Sequence, residues 1–275
     1  MNSALLDTVL GWYRDPMCLL FPVATLGISI VAFLTFALPY TALAWVDPPS
    51  LRRYKVQDKP FDIERWWWPT LRLMITNNLL MLGILFLSWP LLRLMPIHLG
   101  PMPAWYVVIA QLLFFIFLDD FLYYWAHRAL HKGWLLKHVH SVHHRIRQTT
   151  AINGNYFHFL EFLTITSLAL VGPCLIGAHL YVLWIWIVIR QFEAADGHCG
   201  YALPWNPGHV FPLYEGGGYH DFHHSQYQGN YAGFLPYLDR YWGTYARGYL
   251  AWRKKFRAGE PAGHVAAEAV TRRDA

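Results

Sequence analysis

The chain has 275 residues, of which 55% are hydrophobic, 17% aromatic and only 14% charged, whereas roughly 25% of an ordinary soluble domain is charged. The formal net charge is +5, but the basic residues lie beside long uncharged runs. This distribution is typical of membrane-protein loops and argues against a nucleic-acid-binding protein. The three cysteines are far apart and odd in number, so no disulfide framework is predicted.

Three uncharged runs, taken in chain order, predict three transmembrane helices. Residues 18–45 and 73–92 contain no charged side chain, and each run is long enough to cross a bilayer core. The first run is too long for a cleaved signal peptide and too weakly basic on its N-terminal side, so we expect a retained anchor. The third run, 104–118, continues through Asp119 and Asp120 into the sequence FLYYWAH.

A fourth uncharged run, 162–189, is interrupted by Gly172 and Pro173. Proline removes a helical hydrogen bond and glycine permits a turn, so this run is expected to enter the membrane and return as a re-entrant or short helical hairpin. One long kinked span is the alternative. The hairpin is preferred because it leaves the histidine motifs before and after it on the same side.

The orientation follows from the basic residues of the first loop, 52–65, which predict that this loop is cytoplasmic. Two further crossings return the chain to the cytoplasm before residue 127. The predicted fold is therefore an all-α integral membrane protein. Three transmembrane helices and the hairpin are capped by a cytoplasmic, histidine-rich helical domain.

Histidine is concentrated in three short motifs. On a helix, spacings of three and four residues bring side chains to one face, and imidazole nitrogens are ligands for iron, zinc, copper or nickel. A metal site is therefore preferred to scattered core or surface histidines. Eight imidazoles exceed the four ligands of one zinc ion and suit two metal ions. The motifs are HRALH (His127, His131), HSVHH (His140, His143, His144) and HDFHH (His220, His223, His224).

The order of these motifs resembles the fatty acid hydroxylase and sterol desaturase superfamily of membrane di-iron oxygenases. The segments RQFEAADGHCGYALPWNP (190–207) and HDFHHSQYQGNYAGFLPYLDRYWGT (220–244) are similar to its C-4 methylsterol monooxygenase branch. The resemblance implies two iron ions, O2 as co-substrate, and stepwise oxidation of a sterol 4-methyl group. It also implies His198 as a further ligand. Electrons would come from NAD(P)H through a separate carrier, such as cytochrome b5 with its reductase or a ferredoxin-type protein.

Five more polar residues are candidates for supporting the ligands. A carboxylate can hold the second nitrogen of an imidazole and fix its orientation, and Asp120 precedes His127 by two helical turns. The alternative for each candidate is an ordinary solvated or core role, and whether His158 is itself a ligand stays open. The candidates are Asp119, Asp120, His158, Glu193 and Asp196.

The sequence thus predicts a transmembrane anchor region (1–118), a catalytic region (119–257) that includes the membrane hairpin 162–189, and a mobile tail (258–275). The expected activity is O2-dependent oxidation of a lipid, first of all at the C-4 methyl group of a sterol. Alternatives are hydroxylation or desaturation of a fatty acyl, sphingoid, C-5 sterol or carotenoid lipid, or a non-catalytic zinc-binding membrane protein. The expected location is the endoplasmic reticulum or a bacterial inner membrane, with the active site facing the cytoplasm.

Overall fold

A computed structural model describes residues 3–211 and 213–261, and within these ranges it contains helices and no β-strand. The predicted all-α fold is confirmed. Most of the predicted tail, residues 262–275, lies outside the described residues. In chain order the α-helices are α1 (Ser3–Tyr13), α2 (Thr25–Val46), α3 (Ile63–Leu87), α4 (Trp89–Leu92), α5 (Trp105–Leu130), α6 (Gly133–Leu135), α7 (Ser141–His143), α8 (Phe159–Ile176), α9 (Leu180–Gly197), α10 (Gly216–Gln226), α11 (Tyr237–Trp242) and α12 (Tyr249–Arg257).

Four helices are long and apolar enough to cross a membrane. The first begins as a π-helical turn, Leu19–Ala24, that continues into α2. Large apolar side chains such as Leu79 and Leu87 are exposed along these helices, which suits contact with lipid. The first three helices coincide with the three predicted transmembrane runs. The four are Leu19–Val46, Ile63–Leu87, Trp105–Leu130 and Phe159–Ile176.

The fourth predicted run forms a helical hairpin, but its turn does not lie at Gly172 and Pro173 as predicted. Helix α8 continues through Pro173, and the turn begins at Gly177, whose φ is +60°. Pro173 has no N–H to donate to the Ala169 carbonyl oxygen. The Trp186 indole N–H of α9 donates to that oxygen instead, at 2.8 Å. The helix therefore passes the proline without leaving an unsatisfied acceptor, and both arms reach 18 residues.

Helix α9 packs along α2 on one side, and α8 packs on α5 on the other. Between α9 and α2, Gln191 Nε2 donates to Ser29 Oγ at 2.7 Å. Between α8 and α5, the absence of a side chain at Gly172 admits the Phe115 ring, since a Cβ there would lie 2.8 Å from it. This packing brings the C-terminal ends of α5 and α9 to the same end of the bundle.

Candidate metal centre

Nine histidines from four segments of the chain meet at this end of the bundle and form two groups. Two come from the end of α5, three from the π-helical turn Leu136–His140 and α7, one from the end of α9, and three from α10. Within each group the candidate ligand atoms lie within 4.8 Å of one another. The five-histidine group comprises His127, His131, His140, His144 and His223; the four-histidine group comprises His143, His198, His220 and His224.

In the five-histidine group, Nε2 atoms converge on one point. His140 Nε2 lies 2.8 Å from His131 Nε2 and 2.9 Å from His144 Nε2. His223 Nε2 lies 3.0 Å from His144 Nε2 and 3.3 Å from His131 Nε2. Two nitrogens bound at right angles to one metal ion, each ~2.1 Å from it, lie ~3.0 Å apart. These spacings therefore match a single coordination sphere.

The four-histidine group has the same arrangement. His220 Nε2 lies 3.0 Å from His198 Nε2 and 3.2 Å from His224 Nε2. His198 Nε2 lies 3.3 Å from His143 Nε2. His198, expected as a further ligand, thus lies among the motif histidines. The two groups are neighbours, because the ring centroids of His144 and His224 are 4.8 Å apart.

Each H-x-x-H-H motif contributes to both groups. In HSVHH the first and last histidines belong to the five-histidine group, and the middle one, His143, belongs to the four-histidine group. In HDFHH the assignment is reversed, and only the middle one, His223, joins the five-histidine group. Residues four apart stack along one face of a helix, while the residue between them is rotated to the side. One motif therefore offers a pair of ligands to one group and a single ligand to the other.

In most of these rings the Nδ1 atom, which points away from the group, faces a hydrogen-bond acceptor. His140 Nδ1 lies 2.7 Å from Glu161 Oε1, and both side chains are 1% exposed. Such a carboxylate orients a ligand imidazole and raises its basicity. The other Nδ1 contacts are to carbonyl oxygens: His127 to Tyr231 (2.8 Å), His143 to Tyr156 (3.3 Å), His198 to Ala194 (2.8 Å), His223 to Gly229 (2.6 Å) and His224 to Ile146 (2.7 Å).

These contacts fit a metal ion in each group. A neutral ring that donates its Nδ1–H has only a lone pair on Nε2. Burial lowers the pKa of His198 to about 4 and the pKa of His140 and His220 well below the ordinary value, so these rings are neutral at pH 7. The Nε2 lone pairs of His140 and His198, whose Nδ1 atoms face acceptors, then point at the nitrogens of neighbouring rings, an arrangement that a bound cation stabilises. All-imidazole sets suit iron, zinc, copper or nickel.

Asp119 and Asp120 were predicted to hold the second nitrogen of an imidazole, but their carboxylates contact other groups. Asp120 Oδ1 accepts hydrogen bonds from the backbone N–H groups of residues 233–235, at 2.8 to 3.3 Å. Asp119 Oδ2 lies 2.9 Å from Arg190 Nε. Asp120 therefore reaches the site indirectly, because it holds the loop whose Tyr231 carbonyl oxygen contacts a ligand ring.

The other three candidates also contact groups outside the ligand set. Glu193 Oε2 pairs with the same arginine at 2.5 Å. The Asp196 carboxylate accepts from Asn206 Nδ2 at 2.5 Å and from the Tyr214 hydroxyl at 2.6 Å. His158 caps α8, because its Nδ1 accepts from the backbone N–H two residues later at 3.2 Å. Within the described part of the chain, none of these three side chains forms a hydrogen bond to a histidine of the two groups.

Glu161 is the supporting carboxylate that sequence reasoning missed. The candidates were chosen for their closeness in sequence to histidines, whereas Glu161 is 21 residues from His140. A signal was present, since Glu161 immediately precedes the uncharged run 162–189. Ionisable side chains in membrane-entering helices are costly and usually functional.

A cavity of about 310 Å³ leads from the four-histidine group between the membrane helices. His198 and His220 line one end of it, together with Glu193. Helix α9 borders the cavity from Ile187 onward, which is roughly 16 Å of helix up to position 198. The remaining walls come mainly from apolar side chains of α2, α3 and α8, such as Leu85. The cavity therefore joins the histidines to a space that suits a lipid.

Comparisons with known proteins agree on one family. The sequence model described as fatty acid hydroxylase matches residues 112–244. A very-long-chain aldehyde decarbonylase of Oryza sativa subsp. indica is 37% identical over 228 residues, which cover 78% of this chain and 86% of the relative. Methylsterol monooxygenase 2-1 of Arabidopsis thaliana is 36% identical over 243 residues, which cover 82% of this chain and 89% of the relative. No solved structure gives a significant match.

Proposed function

This chain is an integral membrane oxidoreductase of the fatty acid hydroxylase family, and we propose that it is a two-iron monooxygenase acting on the C-4 methyl group of a sterol. A lipid oxygenase is the part of this statement that the family supports directly. The two metals, the sterol and the source of electrons are our proposal.

The observation that carries the proposal is the presence of two adjacent histidine groups in which neighbouring Nε2 atoms lie 2.8 to 3.3 Å apart. One iron would be held by the five-histidine group and the other by the four-histidine group. Bound iron would supply the redox chemistry that activates O2. The chain itself holds the imidazoles neutral and oriented, keeps the site buried, and places a lipid cavity against His198 and His220.

The polar residues at the histidine end of the cavity favour a sterol. Arg190, Gln191 and Glu193 line the cavity within about two helical turns of His198, while most of the other lining side chains are apolar. In a 4-methylsterol the hydroxyl is on C3, the ring carbon next to C4, and C4 carries the reacting methyl group. A methyl group aimed at His198 therefore brings the hydroxyl to these polar side chains. Glu193 Oε2 is paired with Arg190, and we assign Oε1 as the acceptor for the hydroxyl. The pair would thereby fix which carbon reaches the metals.

A very-long-chain aldehyde is the second candidate substrate, because one relative is named for it and is equally similar. Its chain would suit the apolar walls. Its carbonyl oxygen can only accept a hydrogen bond, however, so an aldehyde has no hydroxyl to donate to Glu193 Oε1. A fatty acyl or carotenoid lipid without a hydroxyl is disfavoured by the same argument, whereas a sphingoid base or a C-5 sterol substrate also carries a hydroxyl and is distinguished by substrate profiling.

The electrons would come from NAD(P)H through a separate protein, as expected from the sequence. The active site would face the cytoplasm, because the basic loop 52–65 favours that orientation. The membrane would be the endoplasmic reticulum or a bacterial inner membrane.

The test is substrate profiling of the iron-loaded protein in lipid nanodiscs, with NADPH, cytochrome b5, its reductase and O2. A 4,4-dimethylsterol should give 4-hydroxymethyl and 4-carboxyl products by mass spectrometry. Omission of NADPH, and a sterol without 4-methyl groups, are the controls. Turnover of a very-long-chain aldehyde alone would support the second candidate. Full iron loading without oxidation of any lipid would refute the proposal.

A further inference from the structure

His131 is the one member of the two histidine groups that reaches the protein surface. The other eight are buried, whereas His131 is partly exposed. Its Nε2 lies 2.8 Å from His140 Nε2 inside the five-histidine group. The four-histidine group instead faces the lipid cavity through His198 and His220. One group is thus connected to the surface and the other to the substrate space.

Two half-buried tyrosines surround His131. The ring centroid of Tyr231 lies 5.1 Å from that of His131, and the ring of Tyr227 lies 6.2 Å away. Tyr227 also approaches His144, with centroids 4.5 Å apart. Its φ is +66°, which is unusual for a bulky side chain. This backbone turn ends α10 and directs the ring toward the five-histidine group.

The surface around His131 is strongly basic. Residues 121–150 contain five lysines and arginines and no aspartate or glutamate, and residues 225–238 contain no charged residue. Four of the five basic side chains are exposed, and Arg128 is half-buried. The basic residues are Arg128, Lys132, Lys137, Arg145 and Arg147. With His131, Tyr227 and Tyr231 they form what we call the His131 face.

We propose that the His131 face is the docking surface for an acidic one-electron carrier protein, and that electrons enter the five-histidine group through His131. This inference rests on the proposed function. Conversion of R–H, O2, two electrons and two protons to R–OH and water needs two one-electron deliveries, each of which oxidises one carrier molecule. An acidic carrier is attracted by this cluster of five cations. Because His131 is partly exposed and its Nε2 lies within the five-histidine group, it gives the carrier a route from the surface to the buried site.

The test measures binding and electron delivery separately, with the soluble haem domain of cytochrome b5 as the acidic probe and the iron-loaded chain in neutral-lipid nanodiscs. Lys132→Glu/Arg147→Glu should raise the Kd at 50 mM salt by about tenfold or more, and the KM for the probe by a similar factor. Lys254→Glu, an exposed basic residue of α12, is the matched control and should change either value by less than about twofold. An unchanged Kd in the double variant overturns the docking proposal.

Two further measurements separate the possible failures. The double variant, reduced chemically without the carrier and then exposed to O2, should form the wild-type amount of product in a single turnover. If the wild type itself forms no product this way, the proposed function fails, whatever the carrier binds. If charge reversal weakens binding to anionic phospholipid vesicles but leaves the Kd for the probe unchanged, the His131 face is a membrane contact and the inference is wrong.

Discussion

The single hydrogen bond between Glu161 and His140 allows a prediction about iron affinity. Glu161→Ala removes the acceptor of the His140 Nδ1–H, and loss of such a partner typically lowers metal affinity about 10–100-fold. Glu161→Gln keeps an acceptor oxygen, so the loss should be smaller. Iron affinity measured by chelator competition tests this order. The exposed Glu64 provides a control, since Glu64→Ala should have no effect. Equal affinity for the Ala variant and the wild type would contradict the assigned contact.

Because the histidines form two separate groups, substitution of a histidine in one group should remove only part of the bound metal. His143→Ala removes a ligand from the four-histidine group only, so iron bound per chain should fall by about half while lipid oxidation is abolished. Metal analysis beside the product assay gives both values. His138→Ala is the control, because His138 is exposed and its ring packs on Trp134. Normal iron content and full activity in the His143 variant would exclude this residue as a ligand.

The histidines of the site were predictable from sequence, and most of their partners were not. Histidine type and spacing of three and four residues directly report which side chains share a helix face, so HSVHH and HDFHH stand out from the chain. The contact of His140 with Glu161 depends on how α8 packs beside the π-helical turn, which no local pattern encodes. Asp120 was found by its spacing from His127, but three backbone N–H groups of a distant loop occupy its Oδ1.

At the scale of one helix, Gly217 explains how α10 reaches the site. A Cβ at Gly217 would lie 2.6 Å from the Tyr201 carbonyl oxygen and 2.8 Å from Cys199 Sγ, so Gly217→Ala must push α10 and its His220 outward. We expect a loss of stability of ~1–3 kcal/mol and less bound iron.

The matched control for this substitution is Gly83→Ala in α3, where nothing lies within 4 Å of the new Cβ. There the substitution should stabilise the helix by ~0.5–1 kcal/mol. Thermal unfolding midpoints and iron content measure both changes. An unchanged midpoint and normal iron in the Gly217 variant would show that α10 does not depend on this close approach.

The hairpin shows why element boundaries were harder to predict than elements. Two arms were predicted for the uncharged run 162–189 because the histidine motifs before and after it must lie on the same side, and the structure contains both arms. The turn was misplaced at Pro173 because a proline normally interrupts a helix. Here the indole N–H of Trp186 satisfies the carbonyl oxygen that the proline leaves without a donor. That compensation comes from the neighbouring arm and is invisible in the local sequence.

At the scale of the whole molecule, the two histidine groups border three different regions of the protein. Membrane helices hold them at one end of the bundle, the His131 face connects them to the surface, and the cavity connects them to the lipid-contacting part. The helices were predictable from uncharged runs. The cavity was not, because its shape depends on gaps between α2, α3, α8 and α9 that only tertiary packing creates.

The cavity supplies the last prediction, in which substrate use changes without loss of metal. Leu85 of α3 lines the cavity, whereas Leu82 of the same helix is 38% exposed and is not among the lining residues. Leu85→Trp should fill part of the apolar space and lower sterol oxidation at least about tenfold, with iron content unchanged because no ligand is touched. Leu82→Trp adds the same ring on the lipid-facing side and should retain wild-type turnover. If both variants oxidise sterol equally well, the substrate reaches His198 by another route, and the cavity is only a packing defect between the helices.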